Sequence, residues 1–298
     1  METTKDSKMF GIPALCNLFK ATFNRQGRKS YDLVFGLGIA CSCSQSLRRA
    51  GLQYLSFPFD WITPTFGQPG WDDDVRRRTD IVCSEFRDWL LPNDFSFHGH
   101  HTNGKDKYFN TRHGLMFLHD FPEGVPLAES FPAVAGKYHR RCDRLLELIR
   151  QSRNVLIVRI DRPDLDYRTP VDDCRYARRM LAEHFAPTNF DFILLQEDAS
   201  IPRGECQEEQ VEDGLLRLSL DYRNLKPDAD TMQPDTDVTA AALRTRFTVG
   251  DYRTGDERAA WAHKRKMKRY ARYGATNAFQ YRWRRLMAAL GGNGTRNA

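Results

Sequence analysis

No stretch of the chain approaches the roughly 18–20 consecutive apolar residues that a bilayer-crossing helix requires. The first ten residues also lack the basic start and apolar run of a secretory signal, which predicts a cytoplasmic protein. Its seven cysteines, at 16, 41, 43, 83, 142, 174 and 206, are odd in number and share no paired spacing apart from Cys41-Ser-Cys43. Reduced thiols are therefore expected rather than a disulfide frame. No internal repeat is present. The glycine turn Gly36-Leu-Gly38 has neither the third glycine of a dinucleotide fingerprint nor the lysine of a P-loop, which argues against a nucleotide cofactor. No Cys or carboxylate stands at ligand spacing beside His98-Gly-His100-His101, apart from Asp94 upstream, so neither metal nor cofactor is expected.

Acidic residues are missing altogether from Arg258 to Ala298, where eleven Lys and Arg fall, leaving the rest of the chain at −5 of the total +6. In this tail Trp261, Tyr270, Tyr273, Phe279, Tyr281 and Trp283 interleave with the cations. Cations supply phosphate affinity and aromatic rings supply stacking or interfacial surface. Residues 9–23 set Met9, Phe10, Ile12, Leu15, Leu18, Phe19 and Phe23 on one side of a helical projection, interrupted by Pro13. Two partners follow as expectations: an anionic membrane surface met by Met9–Phe23 and Arg258–Arg285, and, as the weaker alternative, nucleic acid. A basic helix packed on the acidic body is the plainer reading of the tail.

What the chain has in quantity is material for a core: 298 residues, 41% of them hydrophobic. An apolar run at 31–37 breaks at glycines and leads into a helix over about 40–49. Apolar strands are predicted at 115–121, 154–160, 190–195 and 215–220, and helices at 134–150 and 173–185. Trp71-Asp-Asp-Asp74 reads as a helix start continuing through Leu90, its acids complementing the macrodipole. Residues 92–114 read as a polar, histidine-rich loop. Strands alternating with helices predict an α/β fold: a layered, mainly parallel sheet with flanking helices, plus a basic helical C-terminal tail. The expected divisions are an amphipathic segment 1–30, an α/β domain 31–225, an Asp- and Thr-rich linker 226–257 and the tail 258–298.

The chemistry-bearing residue is Cys41, which follows a strand and opens a helix. Unpaired N–H groups and the partial positive charge of a helix N-terminus favour thiolate over thiol. A thiol nucleophile needs a base, and the base needs an orienting acceptor. His119, at the end of the strand 115–121, is the candidate base. For the acceptor, Asp60, held between Phe59 and Trp61, is favoured over Asp120, because the neighbour of His119 on an extended strand points away from it. Backbone N–H groups of the glycine turn would stabilise an oxyanion. Gly36, Gly38, Trp61, Asn110 and Asp120 form the candidate substrate-binding set. The plainer readings are a buried structural thiol for Cys41, a satisfied core imidazole for His119 and a turn acceptor for Asp60.

Four segments together resemble the papain-like cysteine peptidase family of bacterial proteins. They are Phe35-Gly-Leu-Gly-Ile-Ala-Cys41 with Leu47, Ser56-Phe-Pro-Phe-Asp60-Trp61, Tyr108-Phe-Asn110 leading to Phe117-Leu-His119-Asp120-Phe121, and Tyr138-His-Arg-Arg141 ahead of 154–160. The similarity covers about residues 31–196. It implies that Cys41 and His119 are the family's cysteine and histidine. One departure is Gly36, where the family usually has serine. The expected function is a cysteine-nucleophile hydrolase or acyltransferase. The alternatives are a glycosyltransferase-like enzyme of surface-polysaccharide assembly, with Asp60 or His119 as base, and a non-catalytic binding protein for lipid or nucleic acid.

Overall fold

The computed structural model describes residues 28–39, 41–64, 74–162, 168–225, 233–265 and 267. The chain divides at Asp251/Tyr252 into two compact units. Among its described residues the first holds three sheets, five α-helices and a 3-10 turn at Pro92–Asp94, a mixed α/β architecture.

Its largest sheet joins β2 (Leu33–Gly36), β7 (Asn154–Ile160), β8 (Asn189–Glu197), β10 (Leu215–Leu220) and β9 (Gln207–Glu212), in that spatial order. The first four run parallel, and β9 closes the edge antiparallel to β10. The near-continuous apolar runs of β7 and β8 explain their central places, since strands covered on both faces cannot alternate with polar residues. Helices α1 (Cys41–Ala50), α3 (Leu127–Gln151) and α4 (Val171–His184) lie between strands of this sheet along the chain. Leu47 of α1 and Leu156, Val158, Leu195 and Leu218 of the strands share one apolar core. Burying a side chain the size of Leu47 contributes about 1.5–3 kcal/mol.

The polar stretch 92–114 is not a loop. It forms β4 (Phe95–His101) and β5 (Lys105–Asn110), which join β6 (Leu115–Pro122) and β3 (Ile62–Pro64) in a second, wholly antiparallel sheet ordered β3-β6-β5-β4. His119 therefore sits in this second sheet and not at an edge of the parallel one. The strand signal is weak because β4 is an outer strand with exposed histidines, and its pairing is shifted between Phe97 and His100. Gly99 falls in that shift, at a φ of +92° that suits glycine.

Two other expectations are corrected. The helix beginning near Asp74, α2 (Asp74–Cys83), ends well before Leu90. Glu85, Phe86 and Asp88 take φ values of 54°, 59° and 55°, and this reversal carries Trp89 into a cluster of rings with Phe59, Phe117 and Tyr138. Asp72 and Asp73 lie outside the described residues, as do residues 9–23. Within the expected linker 226–257, the described part is ordered into α5 (Thr236–Arg244), capped by the Asp235 side chain, and β11 (Phe247–Val249). β11 pairs in parallel with β1 (Lys29–Tyr31), so this segment belongs to the body.

In the second unit a helix runs over 255–265, with the guanidiniums of Arg253 and Arg265 4.8 and 4.6 Å from the Trp261 ring. Most of the basic tail lies outside the described residues. No helix among the described residues is long and apolar enough to cross a membrane.

Candidate active site

β2 ends at Gly36, and the chain turns over the neighbouring strand before α1 begins at half-buried Cys41. Leu37 fixes the turn: its N–H donates to the Val158 carbonyl (3.0 Å) and its own carbonyl accepts from Arg159 Nη1 (2.7 Å). The glycines have a packing reason. A Cβ on Gly36 would stand 2.9 Å from Cys43 Sγ, and one on Gly38 only 2.1 Å from Cys43 Cβ. Glycine is required so that α1 can rest on the turn, which accounts for both residues without a substrate. Cys43 is the buried thiol of the pair, donating to the Val158 carbonyl at 3.6 Å. Burial, reinforced by Asp60, pushes it up to about 12, so it is inert at neutral pH.

Seven residues after Cys41, and so on the same face of α1, stands Arg48. Its guanidinium donates to Ser44 Oγ (3.1 Å), Ser56 Oγ (2.9 Å) and Asp60 Oδ2 (3.2 Å). Asp60 is 4% exposed and also accepts from Gln53 Nε2 (2.7 and 3.0 Å) and the Phe57 N–H (2.9 Å). Burial raises its carboxyl, against the pull of Arg48. Both oxygens are thus taken up by the segment 48–60. Asp60 pins this loop to α1 and does not orient His119, contrary to expectation.

The loop nonetheless reaches the histidine, because Trp61 lies edge-on to the His119 ring at 6.0 Å. His101 makes a similar edge-on contact with the His119 ring at 5.6 Å. Nδ1 of His119 meets Asn103 Nδ2 at 2.9 Å, and the same amide nitrogen donates to the Leu118 carbonyl at 3.3 Å. Burial lowers the His119 pKa, opposed by Asp120 and assisted by His101 and Lys137, so the ring is neutral at pH 7. Asp120 bonds the Tyr138 hydroxyl (2.8 Å) and the Lys137 ammonium. Asn110 is fully buried, donating to the Trp89 carbonyl (3.1 Å) and accepting from the His113 N–H (2.9 Å). Asp120 and Asn110 are thereby explained as internal ties rather than substrate contacts. Asn103 is the partner the sequence reading misses; its one signal is the Asn103-Gly104 dipeptide, a hairpin-turn mark.

A second unanticipated feature is a buried ionic cluster where β2, β7 and β8 end. Arg159 Nη1 donates to Asp74 Oδ2 (2.5 Å) and Nε to Thr169 Oγ1 (3.1 Å), while Arg78 Nε donates to Asp74 Oδ1 (2.7 Å). Asp161 accepts from the Thr169 N–H (2.9 Å) and Gln196 Nε2 (3.1 Å). Arg78, Arg159 and Asp74 are 0% exposed. Burial alone would raise the Asp74 carboxyl, but the two arginines hold it below the ordinary carboxylate range.

No family model matches the chain, and no solved structure matches it. An uncharacterized protein of Acanthamoeba polyphaga mimivirus, R408, is 25% identical over 148 residues, covering 44% of this chain and 62% of that protein. The match thus spans less than two thirds of the relative's length. Fold and site together define an α/β protein with a cysteine at a helix N-terminus and a neutral, laterally held histidine.

Proposed function

We infer that the protein is a cysteine-nucleophile hydrolase or acyltransferase in which Cys41 attacks and His119 carries the proton. The observation that carries this is the face of α1: Cys41 shares it with Arg48, Arg48 holds the loop 56–60, and the next residue, Trp61, touches His119. The resemblance of residues 31–196 to papain-like cysteine peptidases supports it. So does the parallel part of the main sheet, read as a layered α/β sheet whose β2 delivers Cys41 at its carboxyl end. Asn103 takes the positioning role given to Asp60. With its amide nitrogen on Nδ1, the ring proton is on Nε2; a half-turn, which gives up the 3.3 Å bond to the Leu118 carbonyl, presents Oδ1 to an Nδ1–H and makes Nε2 the base.

In the reaction the Cys41 thiol gives its proton to Nε2, and the sulfur forms a bond to an acyl carbonyl carbon. The imidazolium then protonates the leaving group as its bond to carbon breaks. Water or an acceptor nucleophile repeats the sequence and releases the thiol. Asp60 is too buried and too fully bonded to act as base in the transferase alternative. Free thiols at Cys43, Cys83, Cys142, Cys174 and Cys206 suit the reducing cytoplasm.

The test is the rate of iodoacetamide addition at Cys41, mapped by mass spectrometry between pH 5 and 9. We expect appreciable reaction at neutral pH that falls to the titration of an ordinary thiol, near about 8.5, in His119→Ala. Identical profiles for both proteins would sink the assignment.

A further inference from the structure

Attack of a thiolate on a carbonyl carbon puts negative charge on the carbonyl oxygen, and an N–H aimed at that oxygen supplies much of the rate. The centre of the glycine turn does not offer one. Leu37 donates its N–H to the Val158 carbonyl (3.0 Å), and the Gly38 N–H is directed to Cys43 Sγ. Beside His119, the ring of His101 does offer one.

His101 closes β4, and its ring stands edge-on to His119 at 5.6 Å, both rings being only partly buried. Asn103 sets its state. The backbone N–H of Asn103 donates to His101 Nδ1 (3.3 Å), a local bond of the kind that closes short turns. A main-chain N–H can donate and never accept, so Nδ1 is the acceptor and the neutral ring carries its proton on Nε2. The same residue meets His119 Nδ1 through its side-chain amide (2.9 Å), and an amide can present either end. The half-turn that makes His119 Nε2 a base leaves the main chain of Asn103 in place. One asparagine thus gives two neighbouring imidazoles opposite parts: His119 can be switched to accept a proton, whereas His101 is fixed as a donor. His100, the adjacent imidazole, cannot take that part. Its Nδ1 lies 2.7 Å from the buried carboxylate of Asp106, which only accepts, so in the neutral ring Nε2 is left without a proton.

We propose that His101 is the electrophile of the Cys41 reaction, its Nε2–H donating to the carbonyl oxygen as charge develops there; the proposal rests on the hydrolase or acyltransferase reading above. As the sulfur bonds to the carbonyl carbon, the π pair moves to oxygen and is held by Nε2–H. Collapse of the adduct returns the pair to the carbon–oxygen bond and expels the leaving group.

Two reagents separate this role from that of the thiol. Acylation by p-nitrophenyl acetate passes through an oxyanion, whereas iodoacetamide is attacked at a saturated carbon with loss of iodide and forms none. On the full chain, p-nitrophenol release above the Cys41→Ala background should slow by about tenfold or more in His101→Phe, while iodoacetamide addition at Cys41 keeps its rate. His101→Gln, which puts an N–H back at similar reach, should recover most of the ester rate. Equal ester rates in the unsubstituted protein and His101→Phe, equal losses with both reagents, a His101→Gln protein as slow as His101→Phe, or no release above background would overturn the proposal. Failure of the underlying reading shows separately, as iodoacetamide rates that ignore His119→Ala.

Discussion

Asp74 joins two arginines that never meet water, and the value of that junction is felt when it is removed. Asp74→Ala leaves Arg78 without its carboxylate and Arg159 dependent on Asp161, 3.5 Å away. Breaking a buried pair in this way costs about 3–5 kcal/mol, which urea unfolding would read directly. A loss below about 1 kcal/mol, the range of exposed pairs, would mean that water reaches the arginines. The other residue-scale prediction concerns His119. Asn103→Asp places a carboxylate against Nδ1, which favours the charged imidazolium. An NMR titration should then move the His119 pKa upward, and an unchanged or lower value would break the pairing inferred for Nδ1.

The joint between β2 and α1 is decided by the missing side chains of two glycines: Cys43 Sγ crowds both, and Cys43 Cβ crowds Gly38 alone. Gly36→Ala would press on Cys43 Sγ, so Cys43→Ala should largely rescue it. Gly38→Ala would press on both Cys43 Sγ (2.6 Å) and Cβ (2.1 Å), and Cys43→Ala retains the Cβ, so at most a partial rescue is expected there. Overpacking of this kind costs about 1–3 kcal/mol, and a double-mutant cycle on thermal stability separates the two cases. Equal rescue at both positions would contradict the packing. At this scale the chain is legible where burial is two-sided or periodic. α1, α4, β7, β8 and β10 can all be read from runs such as Asn154–Ile160 and Leu215–Leu220. β4 and β5 cannot, since Lys105-Asp-Lys carries no strand pattern until β6 pairs with it. The site divides in the same way. Cys41 and His119 are visible by residue type and position, whereas Asn103 is an ordinary turn residue and Asp74 reads as a helix-start acid until Arg159 arrives from 85 residues away.

Across the whole molecule two half-buried histidines, His113 and His119, and buried Asp74 contribute to the response to acid. Burial lowers the pKa of His113 and His119 below 6.5, so as pH falls through 6.5 the unfolded chain takes up protons before the folded one does. Their contribution is complete above 6.5 and declines below it. Asp74, held low in the fold, adds a loss only as pH falls beneath the ordinary carboxylate value of 3.8. The raised carboxyl of Asp60 acts in the opposite sense. The melting temperature should therefore fall from pH 7 to 5, and the double variant His113→Gln/His119→Gln should flatten that segment. A slope that survives both substitutions would assign the acid sensitivity elsewhere.

The pairing of Lys29–Tyr31 with Phe247–Val249, and of Ser46 with Thr239 (2.7 Å), fastens the opening of the body to its close. During synthesis, a nascent chain that has emerged only as far as Pro234 presents α1 with its flank toward α5 uncovered. Completion must wait for about fifteen further residues at translation speeds of about 5–20 per second. For that interval the half-built body is a client for whatever shields apolar surfaces at the ribosome exit.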